Sequence, residues 1–313
     1  MKTPLEAFQH VTVGVADLDV ALALWVERFG FEIAAQRQGP DAELARLWSL
    51  VPGDISRQAL VRTPGQTRGM LHLVEFIDPT PPVRSGAQSF DSVPKNLDVH
   101  VVDLPARFDE LTAAGYVFST AKFTEADQSI GGRFREGHLK GHDDVNIVLV
   151  EELGVQPWEV LPYTPAGYVG VGPLITVVPD WVRETAFFVD VLGLQLQSEA
   201  VVSGPEIERM IGLPPGTGLA TAVLGGAEAF GSMMMVDYEG VEGADLYPKA
   251  KPKALGVLHI TFRTKNLAPL RGRLAAAGRQ VVDYGAVNTL FGAGELIAFS
   301  SPSGLRIEVL QGE

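Results

Sequence analysis

The same polarity pattern recurs four times along the chain: an apolar stretch alternating with period two, an Asp or Asn, an amphipathic stretch, a Gly, and apolar residues again. The copies are HVTVGVADLDVALALWVERFGFEI, NLDVHVVDLPARFDELTAAGYVF, PLITVVPDWVRETAFFVDVLGLQL and HITFRTKNLAPLRGRLAAAGRQVV. A period of two predicts a strand with one buried face. The polar marker that follows is Asp17, Asp103, Asp180 or Asn266. Its side-chain oxygen can accept from the free N–H groups of a first helical turn, so it predicts an N-cap. The later Gly can take φ > 0 and end that helix. Further strands follow, ending in MLHLVEF (70–76), VNIVLVEE (145–152), GSMMMVDY (231–238) and LRIEVLQ (305–311). Each unit is therefore expected to be β-α-β-β-β, which makes the chain an α+β protein.

The spacing shows how the copies are related. The markers lie 86, 77 and 86 residues apart, and Gly follows its marker by 13, 12, 13 and 12 residues. Unit one thus matches unit three and unit two matches unit four, as a duplicated pair would. Gly- and Pro-rich segments separate the units. The central one, LGVQPWEVLPYTPAGYVGVG, predicts a linker at 156–167 between an N-terminal domain, 1–155 (units one and two), and a C-terminal domain, 168–313 (units three and four). The length of 313 residues suits about two domains.

Composition narrows the function. A net charge of −13 and the absence of a basic stripe disfavour nucleic acid and anionic membrane surfaces. A small-molecule substrate is the expected partner, and a homodimer stays open. With no cysteine there are no disulfides or thiolates, so any metal must use His and carboxylate. The start MKTPLEAFQH lacks the apolar stretch of a signal peptide, and no apolar run is long enough to span a bilayer, so a cytoplasmic enzyme is expected.

The repeat, the opening HVTVGVADL and the ending SPSGLRIEVL resemble the vicinal oxygen chelate superfamily, the glyoxalase I and extradiol dioxygenase group, over nearly the whole chain. The resemblance implies paired βαβββ modules in two open barrels, with one divalent metal ion (Fe, Mn, Zn, Ni or Co) held by residues of the first and last strands of a module. Aligned on the markers, the first-strand position holds His10, Asn96, Pro173 and His259. The last-strand position holds Glu308 in unit four, Val148 in unit two and Met235 in unit three. In unit one His72 takes this place, with Glu75 on the opposite face as the competitor. The expected metal ligands are His10, His259, Glu308 and His72, which requires units one and four to meet; His72 is a catalytic candidate if it is not a ligand. The resemblance extends to a dichlorohydroquinone dioxygenase type of relative that joins its first and last modules.

Other features read as structural. His100 is four residues from the ligand position of unit two, and His138 and His142 lie in a Gly-rich segment without the Glu of H-E-x-x-H. MMM suits a buried strand, and neither a phosphate loop nor a nucleophile elbow is present. A metal holding two adjacent substrate oxygens supports proton transfer, hence an isomerase, epimerase or lyase. Fe(II) with two His and one Glu would support ring cleavage of catechols or hydroquinones instead. Where ring cleavers commonly carry a Tyr and a D-P-x-G turn, this chain has Ala298 and Ser301, which favours proton transfer. A metal-free binding or drug-sequestering protein is the third expectation.

Overall fold

Unit one forms β1 (Phe8–Val15), α1 (Leu18–Leu22), β2 (Glu32–Gln38), α2 (Ala42–Trp48), β3 (Ile55–Arg62) and β4 (Met70–Phe76) in the computed structural model, which describes residues 5–128, 132–154, 161–226 and 230–312. Unit two contributes β5 (Pro94–Val101), α3 (Leu104–Ala113), β6 (Val117–Phe118), β7 (Thr124–Gln128), β8 (Gly132–Lys140) and β9 (Asn146–Leu153). After the short β10 (Tyr168–Val169), unit three has β11 (Leu174–Val177), α4 (Trp181–Ala186), β12 (Gln195–Ser203), α5 (Pro205–Ile211), β13 (Gly218–Gly225) and β14 (Met233–Glu239). Unit four has β15 (Gly256–Thr264), α6 (Ala268–Ala276), β16 (Val282–Thr289), β17 (Gly292–Ser300) and β18 (Arg306–Gln311). Units one and three therefore carry a second helix, α2 or α5, that the repeat does not predict.

The predicted caps act as such in three units. Asp17 accepts from the backbone N–H groups of Asp19 and Val20, Asp103 from Ala106 and Asp180 from Arg183. In unit four Leu267 occupies the cap position and Asn266 accepts one residue further along, from Ala268 N–H. All four predicted glycines, Gly30, Gly115, Gly193 and Gly278, have positive φ. The spacing difference of 13 against 12 also has a physical form. In units one and three the helix widens into a π-turn, Ala23–Arg28 or Phe187–Leu192. The Phe29 N–H then reaches back five residues to Leu24 O, so the extra residue is absorbed as a wide turn.

The strands form two curled sheets, and these do not divide at the predicted linker. One has the order β16-β17-β18-β15-β1-β4-β3-β2 and joins unit four to unit one. The other runs β12-β13-β14-β11-β5-β9-β8-β6, with β7 on β8 and β10 on β5, and joins unit three to unit two. The expectation of one barrel in 1–155 and another in 168–313 is corrected accordingly. Every residue of β1 is buried, so this strand needs a partner on both edges. It has β4 of its own unit on one side and β15, the first strand of unit four, on the other. Residues 156–160 of the expected linker lie outside the described residues. Just beyond them, Thr164 donates to Phe29 O and β10 pairs with β5, so this part packs on both units.

The convex faces of both sheets share one core with the helices. Val11 and Val13 of β1, Leu97 and Val99 of β5, Trp25 and Phe188 all belong to it. The concave face of the unit one and four sheet is filled separately, with Leu44, Leu47 and Trp48 of α2 packed on Met70, Val74, Phe76 and Leu310. The concave face of the other sheet receives Ile207 and Ile211 of α5 against Ile175, Val236 and Tyr238. Among the described residues no helix is long and apolar enough to cross a membrane.

Candidate functional site

Strand register brings the four expected ligands to one face. β1 and β15 are antiparallel, with His10 opposite Thr261 and Thr12 opposite His259. On the outer flanks, His72 of β4 stands opposite Thr12, and Glu308 of β18 stands opposite Thr261. The two halves are thus related by a pseudo-twofold: His10-Val11-Thr12 with His72, and His259-Ile260-Thr261 with Glu308. Because side chains alternate along a strand, the intervening Val11 and Ile260 point into the helix-side core. His10, His72, His259 and Glu308 then line the concave face, each at most 1% exposed.

Glu75 lies on the other side. Its carboxylate receives the Arg57 guanidinium and the Leu18 backbone N–H at the start of α1. It fastens a helix to the convex face and takes no part in the imidazole cluster. In the other sheet, β5 places Asn96 and Asp98 opposite Ile175 and Pro173 of unit three. The last-strand position of unit two is Val148, paired with Asp98. For unit three the expected Met235 is corrected to Met234, which pairs with Ile175. A one-residue slip moves a strand side chain to the opposite face, and Met235 belongs to the convex core. His138 sits on β8 opposite Val148, and His142 accepts from the Trp25 indole N–H.

The state of the four side chains bears on what they can hold. Both ring nitrogens of His10 and His259, Nδ1 of His72 and Oε2 of Glu308 are buried without a hydrogen-bond partner. Such concentration is unusual, since buried polar atoms are normally paired. For His72 the tautomer can be assigned. The Gln58 Nε2 amide donates to the Asp41 carboxylate, which leaves Gln58 Oε1 to accept from His72 Nε2–H at 2.9 Å. The lone pair of His72 therefore sits on Nδ1, and an outer carboxylate fixes the ring through an amide. His259 Nε2 is 3.6 Å from Glu308 Oε1. His10 and His72 rings are 5.5 Å apart between centroids.

The electrostatics keep the imidazoles neutral. Burial holds His10 well below the usual imidazole range, and the neighbouring His72, His259 and Arg263 add to it. Burial also takes His72 down to about 3, helped by His259, and His259 down to about 4 against the opposing pull of Glu308. For Glu308, burial alone would raise the carboxyl, but His259 and Arg306 outweigh it and the group stays below its ordinary value. Arg306 Nη2 (2.9 Å) and Trp48 Nε1 (3.0 Å) both donate to Oε1, which leaves Oε2 free. Neutral imidazoles and an ionised carboxylate are the forms that ligate a divalent ion. As they are placed, no three His, Asp or Glu among the described residues stand as a group that could hold one metal ion.

Two further residues close the site and were missed in the sequence. Trp48 packs its ring 5.2 Å from His259 and 6.1 Å from His72. Phe291, at the turn between β16 and β17, lies 4.6 Å from His10 and 5.4 Å from His72. The signal for Trp48 was present in DAELARLW, where Asp41 caps α2 by accepting from Leu44 N–H. Phe291 had no comparable signal, because its role depends on where the hairpin folds.

Comparison with known proteins agrees with this geometry at the level of architecture. Glyoxalase I from Zea mays superposes with a TM-score of 0.67 at 13% identity, over 97% of this chain and 92% of that one. The chain therefore shares the fold of this glyoxalase I. A Bacillus subtilis protein whose assignment as a dioxygenase is provisional superposes with a TM-score of 0.63 at 12% identity, over 99% of this chain and 86% of that one. No protein-family model matches this chain, and no curated protein does.

Proposed function

We propose that the protein is a metal-dependent enzyme that binds a small oxygenated substrate through two adjacent oxygens and catalyses proton transfer as an isomerase, epimerase or lyase. The observation that carries this reading is the pseudo-twofold set of four buried donors with free atoms: His10, His72, His259 and Glu308. A divalent ion bound there would polarise a substrate carbonyl and stabilise the charge of an enolate. His10 and His259, neutral through burial, offer it imidazole nitrogens, and Glu308 offers Oε2 while Arg306 and Trp48 hold Oε1. The Gln58 and Asp41 pair orients His72 Nδ1. Trp48 and Phe291 exclude water from the face, which strengthens every charge interaction within it. Ala298 stands directly opposite Glu308 on β17, so the Tyr expected of ring cleavers has no counterpart at that position, which favours proton transfer over the dioxygenase reading.

The test is anaerobic metal analysis of the purified protein together with oxygen uptake on catechols and hydroquinones. Tightly bound Zn, Mn, Ni or Co without uptake is expected. Fe(II) with uptake would overturn proton transfer in favour of ring cleavage. A protein that takes up none of these ions when titrated would instead be a metal-free binder.

A further inference from the structure

A cavity of roughly 470 Å³ lies at the ends of β16, β17 and β18, beside the turn that follows α6. Its floor follows from strand register. Val282 of β16 stands opposite Ala298 of β17, and Ser300 of β17 stands opposite Arg306 of β18. Paired residues, and residues two apart on a strand, share a face, so these four side chains form one surface. Gly278, with its positive φ, ends α6, and the Arg279 N–H returns to Leu274 O, which places Arg279 and Gln280 in the facing wall. None of His10, His72, His259 and Glu308 lines this cavity.

The wall carries two guanidinium groups and, among the described residues, no carboxylate. In a chain of net charge −13 this is a local reversal of sign. The two groups differ in what they offer. Arg306 is already matched: its Nε and Nη2 donate to Glu308 Oε1, and Nη2 also to Leu47 O and Tyr284 OH, which leaves Nη1. It brings a directed donor and little surplus charge. Arg279 brings the charge. Its Nε is buried without a partner, and its guanidinium carbon lies 5.3 Å from the centre of the Phe187 ring. The carboxylate that its charge reaches, Glu184, accepts from Ser303 instead. A guanidinium fork suits carboxylate and phosphate oxygens. Val282, Ala298 and Phe299 make the rest of the wall largely apolar. Pockets of about 300–1,000 Å³ hold organic ligands, so the space suits an anion with an apolar body better than a bare inorganic ion.

We propose that this cavity binds a small organic anion, a carboxylate or phosphate carried on an apolar ring, with Arg279 supplying the opposing charge and Arg306 a directed hydrogen bond. The site is separate from the four donors, needs no metal and does not rest on the function proposed above.

Calorimetric titration of the metal-free protein with benzoate, phenyl phosphate and neutral benzyl alcohol tests this. At least one of the two anions should bind saturably, and about ten-fold or more tightly than the alcohol, as one charge-assisted contact implies. The tighter anion identifies the group as carboxylate or phosphate. Arg279→Met should weaken its binding about ten-fold or more. Val282 is 52% exposed, so Val282→Glu keeps the fold and sets a carboxylate at the cavity. It should weaken the anion by a similar factor. Absence of saturable binding by both anions, or an alcohol that binds as tightly as the better anion, would overturn the site. So would unchanged anion binding in either Arg279→Met or Val282→Glu with a native circular dichroism spectrum.

Discussion

The two curled sheets are built on the same plan and carry different chemistry on their concave faces. In the sheet of units one and four, the central positions hold His10, Thr12, His259 and Thr261, flanked by His72 and Glu308. In the sheet of units two and three, the equivalent positions hold Asn96, Asp98, Pro173 and Ile175, flanked by Val148 and Met234. Both keep a bulge before the first of these residues. It presents Gln9 in one sheet, where the amide donates to Phe291 O, and Lys95 in the other, where the ammonium donates to Tyr238 OH at 2.7 Å. Both are also filled by the second helix of an odd-numbered unit, α2 or α5. The scaffold thus fixes where a polar group will point, and a few substitutions decide whether the group is an imidazole donor or a buried structural pair.

The sharpest way to break this comparison is to remove donors on each side. His259→Ala and Glu308→Ala should each reduce divalent-ion affinity by more than the roughly 10- to 100-fold that an outer hydrogen-bond partner commands. Asn96→Ala and Met234→Ala should leave it unchanged, as read by titration calorimetry with Zn(II). Equal losses on both sheets would erase the distinction. Next in size is Trp48→Ala, which deletes a fully packed indole and the donor to Glu308 Oε1. It should cost about 3–5 kcal/mol in urea denaturation, and a cost under 1 kcal/mol would mean that α2 does not hold the face closed.

A pH comparison separates the sheets further. In metal-free protein His72 and His259 stay neutral down to about 3 and about 4 when folded, whereas the unfolded chain protonates them near the ordinary imidazole value of about 6.5. The unfolded state then binds more protons between those limits, so stability rises with pH there and is lost as pH falls from about 6.5 towards about 4. His72→Gln should flatten this slope. Lys95 gives a different window: burial and Arg84 bring its ammonium down to about 7 against weaker support from Glu136 and Asp98. Its unfolded value is about 10.4, so the unfolded chain again binds the extra proton, and stability relative to Lys95→Met should grow from about pH 7 to about pH 10. Denaturation across both ranges would show whether each window belongs to its own sheet; identical profiles in all variants would contradict the assignment. Smallest of all is Glu75→Gln on the convex face, which should cost only about 1 kcal/mol and leave metal affinity untouched.

Much of this was legible in the sequence because it is written in local patterns. The fourfold repeat, the N-caps at Asp17, Asp103 and Asp180, the positive-φ glycines and the 13-against-12 spacing all concern residues within one or two turns of each other. The alignment of His10 with His259 followed from the repeat, and the strand registers agree with it. The choice between His72 and Glu75 was open, since the two lie on opposite faces of one short strand and a register is needed to say which face is concave. Met235 failed for the same reason by a single residue.

The sequence by itself determined the units, their internal order and the residue types able to bind a metal, because these depend on periodicity and on chemistry that side chains carry anywhere. Only the tertiary structure decided that the sheets do not divide at the linker, unit three joining unit two as unit one joins unit four, and that α2 and the Phe291 turn close the face. Strand partners in a sheet are selected by complementary edges and by burial on both faces, and contacts between residues some two hundred positions apart leave no periodic trace in the chain.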